Sequence, residues 1–503
     1  MSTPRLVLPA TLSRRRLLAG GVGVLGAALL DACAGAGSSS SSPTTGGSSG
    51  SSGSSAGSTG TSPSPTSSAG TPTRGGTARV GAIAPTAAVD PVTMYDSGSI
   101  AVAQQSAEYL VYVAANGSLT PVLATSWAPS DSARTWIFKL RPGVRFHDGS
   151  TLSAKDVVAT FDRLVDPKSE SSALTDFQGI LQPGGIRAVD DLTVRFQLKQ
   201  PYADFPYLVS SSNYNTLVLP RSYSGDFQSK PVGTGPFIQR SFTQNQGAEY
   251  TKNPDYWGKP RPYLDGVKFT FYQDDQAQLL GLQGNEINTV VTYDASDTTA
   301  LASDSKLSIE SVKGSATFTL WMRVDKHPFS DQRVRQAVAW AIDRKGLLST
   351  VLDHDHAVLG NDHFFGPTMP VRPTNLMQRT QNLAKARQLL HAAGATGQKV
   401  TLTTENDGPA ADYATLVKSD LAKIGLTVDL NVMSQDAFYG SGSNQPWLEV
   451  PFGIVDWASR AIPEEYLDPV LKTGGVWNSP HYSNPALDQL LARFNATTDH
   501  ATR

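Results

Sequence analysis

The stretch Thr135-Trp136-Ile137-Phe138-Lys139-Leu140 places Trp136, Phe138 and Leu140 on one side of an extended chain, the period-two pattern of a half-buried strand. Asp148-Gly149 follows as a turn signal. Ser153 to Leu164 then reads as a helix, with Ser153 and Asp156 spaced as a capping-box variant. Outward from this unit the alternation repeats. Thr77 to Ile83, Leu192 to Leu198 and Val267 to Phe271 read as strands, and Asp331 to Leu348 as one long amphipathic helix. A helix over Asn382 to Ala393, stopped by Gly394, leads into a strand over Lys399 to Thr403. A second, near Ala411 to Ile424 and stopped by Gly425, leads into Leu426 to Val432. Asn484-Pro485 opens a last helix that sets Leu487, Leu490, Leu491 and Phe494 on one face, expected to be buried. Strands alternating with helices predict an α/β architecture.

The N-terminus is built differently. Arg14, Arg15 and Arg16 precede an apolar run from Gly20 to Leu30, and Leu30-Asp31-Ala32-Cys33 follows. A basic start, a short apolar core and a small residue before the cut describe a secretory signal over residues 1–33. Cys33, the only cysteine of the 503 residues, stands where a lipid would be attached, so the reading is a lipoprotein anchored at Cys33. Arg14-Arg15 fits a twin-arginine export signal, although an ordinary export signal also begins with positive charge. The apolar run is shorter than the ~20 residues a spanning helix needs. Residues 34–74 are dominated by Ser, Gly, Thr, Ala and Pro and read as a disordered linker, because such a tract buries too little apolar surface to offset its chain entropy. Gly46-Gly47-Ser48-Ser49-Gly50 matches a hydrolase nucleophile pattern, but it lies inside this linker, without a strand before it or a helix after it. The net charge of −2 argues against nucleic acid as a partner, and one cysteine excludes an intrachain disulfide.

Four further stretches, in order, resemble one family. They are Leu123-Ala124-Thr125-Ser126-Trp127 with Phe138 to Gly149; Val232-Gly233-Thr234-Gly235-Pro236-Phe237 with Asn253-Pro254-Asp255-Tyr256-Trp257; Pro328 to Ala337 with Ala341-Ile342-Asp343-Arg344; and Trp477 to Pro485. The chain from about Gly75 onward is similar to the extracellular solute-binding proteins, family 5, of peptide and nickel ABC importers. The resemblance implies a type II periplasmic-binding-protein-like fold with two lobes, a hinge and an extra domain. By it, residues 75–107 and 231–310 form a discontinuous domain I, 108–230 domain II, and 311–503 a C-terminally truncated domain III. It further implies a receptor, not an enzyme. Such a receptor, usually a monomer without a cofactor, closes its lobes on a peptide or other small solute and presents it to ABC permease subunits at the extracytoplasmic face of the membrane. The motifs themselves read as structural: Gly233, Gly235 and Pro236 suit a tight backbone crossing, and the Asp331–Arg344 charges a solvated or paired outer face.

In peptide-binding members a Trp-x-x-Asp motif pairs with the peptide amine. The matching stretch is Trp457-Ala458-Ser459-Arg460, so an arginine stands at the aspartate position. Arg460 would favour a carboxylate or phosphate. Either Asp456 takes over from a shifted position, or the solute presents an anionic or polar group such as a metal chelate. Arg460 pairing internally with Glu464 or Glu465 is a further reading. Other candidate ligand-binding residues are Tyr95 and Asp96, the group Asn361, Asp362 and His363, and the rings of Trp457 and Trp477. No metal site is predicted. His354, His356 and His363 are its weak candidates, three imidazoles within ten residues.

Overall fold

Three main sheets, each with its own apolar core, organise the chain. The computed structural model describes residues 72–291, 301, 304–310, 312–352, 357–406, 409–440 and 444–503. Cys33, the signal segment, all but the last residues of the linker, His354 and His356 lie outside the described residues.

The first sheet holds Thr77–Ile83 between Gly266–Tyr272 and the short Thr289–Val290, both parallel to it, with Gly247–Lys252 and Phe237–Thr243 added antiparallel. Val80 and Ala82, both fully buried, point from the central strand into a core shared with Phe269, Tyr250 and the helix Ser97–Ser106. The second sheet is antiparallel, in the order Ala124–Ser130, Thr135–Leu140, Thr193–Gln197, Ile186–Asp190. Trp136, Phe138 and Leu140 do share its buried face, and Phe138, Phe161, Phe196 and Phe205 meet edge-on and tilted in the core. Phe161 comes from the helix Ala154–Val165, whose start is the capping box read from sequence: Asp156 Oδ2 accepts from the Ser153 N–H at 2.9 Å. The third sheet has the order Thr317–Met322, Phe452–Trp457, Lys399–Glu405, Thr427–Met433; the last three are parallel.

Where the chain passes between the first two sheets, two segments cross closely. A Cβ on Gly233 would stand 2.1 Å from the Ser106 carbonyl oxygen and one on Gly235 2.6 Å from that of Gln105, so only glycine fits. The crossing is plugged by Glu108, which accepts from Thr234 Oγ1 (2.8 Å), the Tyr256 hydroxyl (2.7 Å) and Trp257 Nε1 (2.8 Å).

Two sequence expectations are corrected. Asp331 to Leu348 is not one helix but two, Gln332–Ala341 and Arg344–Val351. Ile342 turns extended, the Asp343 N–H is captured by Asp420 Oδ2 at 2.7 Å, and the Asp343 side chain caps the second helix through the Gly346 N–H. The predicted face survives the break: Val334, Ala337, Val338 and Ala341 are all buried, and Arg333 pairs with Asp331. The last helix, Pro485–Ala496, buries Leu491 and Asn495, but Leu490 is 51 % exposed, so the expected apolar face is only partly covered. Among the described residues no helix is long and apolar enough to cross a membrane.

Candidate functional site

The strand Phe452–Trp457 ends on the segment that carries Arg460, and that segment is tightly held. Ser315 Oγ accepts from the Arg460 N–H at 2.8 Å, and the Ser315 N–H donates to Ser459 Oγ at 3.0 Å. The Tyr466 hydroxyl reaches the carbonyls of Ala458 (2.7 Å) and Ser315 (2.9 Å). Two residues on, Ile462 is fully buried in the core of the second sheet. The Arg460 segment thus belongs to the third sheet by chain and to the second by packing, which puts the guanidinium at the junction.

There Arg460 faces two carboxyl groups. Burial raises the Asp176 carboxyl, on the short helix Leu174–Phe177, and Arg460 pulls it down again. Glu465 is pushed up to about 7, by burial first, with Arg460 opposing and Asp176 adding repulsion. Tyr214 joins them: burial drives its hydroxyl far up, and Asp176, Arg460 and Asp96 all act on it. One cation, two half-buried acids and a buried phenol from different parts of the chain thus lie near enough to act on one another electrostatically. Of the two internal partners expected for Arg460, Glu465 is the one beside it. Glu464 turns away to Arg503, which also grips Asp204 at 2.9 and 2.6 Å.

The other predicted residues divide. Asp96 caps the helix Ser97–Ser106, accepting from the Ser99 N–H (2.8 Å) and Oγ (2.7 Å). Tyr95 accepts from Thr86 Oγ1 at 2.9 Å. Both remain half-buried, and Asp96 acts electrostatically on Tyr214. Asn361, Asp362 and His363 instead serve a loop. Asp362 bridges Arg344 and Arg379, Asn361 donates to the Met377 carbonyl at 3.0 Å, and His363 Nδ1 accepts from the Phe365 N–H at 3.2 Å. Trp457 and Trp477 do not offer free faces to a solute. They are 2 % and 6 % exposed and pack 5.6 Å apart among Trp447, Tyr466 and Phe364, where apolar burial outweighs exposure to a ligand. The Arg460 guanidinium sits 5.7 Å from the Trp477 ring centre. Asp456 is exposed and meets the Tyr439 hydroxyl at 3.0 Å. Among the described residues there is no group of three or more His, Cys, Asp or Glu side chains suited to a metal.

A separate cleft of 660 Å³ lies between the Asn116–Leu119 loop, the Pro367–Pro370 loop and Arg503. None of the predicted ligand residues lines it. It sits on the Glu464 side of the same segment, with Asp204 and Arg503 on its wall.

Comparison with known proteins agrees with this architecture. The profile of "Bacterial extracellular solute-binding proteins, family 5 Middle" matches residues 118–478. The chain belongs to this family. Among relatives, it is 28 % identical over 348 residues to Di/tripeptide-binding protein 2 of Pseudomonas aeruginosa, covering 63 % of this chain and 64 % of that one, a little under two thirds of the relative's length. It is 28 % identical over 438 residues to the glutathione-binding protein GsiB of Pectobacterium atrosepticum, 82 % of each chain. Among solved structures, HbpA2 from Haemophilus parasuis superposes with a TM-score of 0.74 at 24 % identity, over 85 % of this chain and 89 % of that one. The family 5 protein therefore has the type II solute-binding fold expected from its motifs.

Asp176 and Tyr214 were not found from sequence. Asp176 lies in a four-residue helix and Tyr214 among turns, where no periodicity marks a face. For Glu465 the signal was present, since it was one of the two partners considered for Arg460.

Proposed function

We propose that this family 5 protein is the extracytoplasmic solute receptor of an ABC importer, capturing a peptide or peptide-like solute by lobe closure and delivering it to the permease. The observation that carries this reading is the electrostatic coupling of Arg460 to the acids Asp176 and Glu465, drawn from different parts of the chain. Such a mixed-charge site suits a zwitterion. A guanidinium takes a carboxylate through paired hydrogen bonds, and half-buried carboxyls take an ammonium. Relatives named for di/tripeptides and for glutathione support a peptide-like solute.

The domain division accompanies the function: domain I over 75–107 and 231–310, domain II over 108–230 and domain III from 311, with Arg460 of domain III acting on Asp176 and Tyr214 of domain II. The protein acts without catalysis, as a monomer. A diacylglycerol on Cys33, left as the first residue after removal of residues 1–32, ties it to the outer face of the cell membrane, and residues 34–74 act as a leash. At ~5–6 Å × √n, about forty such residues give an r.m.s. reach of roughly 35 Å. Arg14-Arg15 supports export through the twin-arginine route, although an ordinary export signal also begins with positive charge.

Arg460 at a position where peptide binders carry aspartate favours a second reading, a non-peptide anionic solute or chelate. Growth of a deletion strain on defined nitrogen sources separates the two. Loss of growth on di- and tripeptides, restored by the wild-type gene, is the expected result. Normal growth on peptides with loss on one anionic metabolite assigns the second reading.

A further inference from the structure

The bodies built on the second and third sheets meet around the 660 Å³ cleft. The contacts there are polar or between backbones. The Ala203 N–H donates to the Asn495 carbonyl at 2.7 Å, Arg503 spans Asp204 and Glu464, and Gly117 abuts Thr368. Polar junctions of this kind allow one body to move on the other.

Gly117 lies in the loop that joins the strands Val111–Val113 and Leu119–Pro121, and Val111 and Val113 are buried in the second-sheet core. Its φ is +82°, and a Cβ there would overlap the Thr368 carbonyl oxygen, so only glycine lets the two loops meet. The loop is fixed. The Gly117 N–H donates to the Ala114 carbonyl at 2.8 Å, and the Gly117 carbonyl accepts from the Tyr207 hydroxyl at 2.8 Å.

Thr368 sits in a turn, residues 366–369, that is fixed as well. The Met369 N–H donates to the Gly366 carbonyl at 3.3 Å, and the Gly366 N–H reaches the Met369 sulfur at 3.2 Å. Met369 is buried with Trp457 and Tyr466, and Phe364 stacks on Tyr466 with ring centres 5.2 Å apart. At its other end the turn meets Ser315, because a Cβ on Gly366 would overlap the Ser315 side chain. Ser315 Oγ is the acceptor of the Arg460 N–H. Arg460, Ser315, the turn and Gly117 therefore form one line of contacts that runs from the Arg460 segment to the second-sheet body. Close-packed contacts without slack pass a displacement on.

We infer that the turn 366–369 is a coupling bar, linking the state of the Arg460 segment to the seating of the Gly117 loop on the opposite body. The inference rests on the receptor reading for its use. A solute that binds Arg460 better when the loop is seated draws the two bodies together, and the bar carries that preference between them.

The coupling is read without any solute, by amide hydrogen exchange and mass spectrometry on the full chain. The Arg460 and Ser315 N–H groups report at one end, and the Ala114 and Gly117 N–H groups at the other. Gly117→Ala should speed exchange over residues 457–462 about tenfold, while the strand Lys399–Glu405 keeps its wild-type rate. Tyr207→Phe removes the hydroxyl that holds Gly117 and should give the same change at about threefold; it carries the test where Gly117→Ala does not fold. Coupling is reciprocal, so Ser315→Ala should speed exchange over residues 114–119. Wild-type rates over 457–462 in the folded variants overturn the bar. An equal rise over Lys399–Glu405, which is general loosening, overturns it too, as does an unchanged 114–119 loop in Ser315→Ala. Because no solute enters this experiment, its failure leaves the receptor reading standing, and a deletion strain without any growth defect removes that reading and not the bar.

Discussion

Glu108 and Glu405 are both buried glutamates, and burial pushes both up to about 7. Their surroundings differ. Glu108 accepts three hydrogen bonds, from Thr234, Tyr256 and Trp257, and Arg141 stacks 4.2 Å over the Trp257 ring beside it. Glu405 accepts from the Tyr439 hydroxyl and from Gln435, and faces another acid, Asp456. The first is a closed network locking the joint where Gly233 and Gly235 cross the chain. The second sets two acids against one phenol proton, so its partners compete rather than lock. A pKa shift of the same size thus says nothing about role until the partners are counted.

A buried pair of carboxyls sharpens the contrast. Asp204 and Glu464 close on Arg503, with all three side chains at most 9 % exposed. Arg503→Ala strands two buried carboxylates and should cost about 3–5 kcal/mol, the largest effect expected, read as a fall in the urea midpoint. Glu108→Ala leaves three buried donors open and should cost about 3 kcal/mol by the same measurement. A loss below about 1 kcal/mol would mean that water replaces the carboxyl and the network is not closed.

The pH dependence of Glu108 has a definite sign. Its pKa is higher folded than unfolded, so the folded state holds more protons between pH 4.5 and 7. The stability it contributes is complete below the lower value and is lost as pH rises through the higher one. Glu108→Gln should remove roughly 3 kcal/mol of that decline between pH 4.5 and 8, visible as a flatter plot of stability against pH. The smallest effect is expected at the competing pair. Glu405→Gln relieves repulsion with Asp456 and should change stability at pH 8 by no more than about 1 kcal/mol, in the stabilising direction. A loss as large as that of Glu108→Ala would erase the distinction between the two acids.

Much of the fold was legible because its elements are repetitive. The strands Thr77–Ile83 and Thr135–Leu140 have the limits that alternation alone assigns, and the Ser153/Asp156 box marks its helix start. The two-helix break at Ile342 was not, because its cause is Asp420, 77 residues away. The site was legible in part for the same reason. Arg460 stood out against a motif, and Glu465 was weighed as its partner. Asp176 and Tyr214 come near Arg460 only through tertiary packing, and Glu405 becomes notable only when Tyr439 and Asp456 are seen beside it. Trp457 and Trp477 misled, since an aromatic side chain looks alike in sequence whether it faces a solute or a core.

The most direct test of the account is native mass spectrometry of the full protein purified gently from its own cells, without refolding. The account predicts a bound species that fragments to amino acids and is lost in Arg460→Ala. A bound species with no amino-acid fragments, or an Arg460→Ala variant that retains the peptide undiminished, would contradict it.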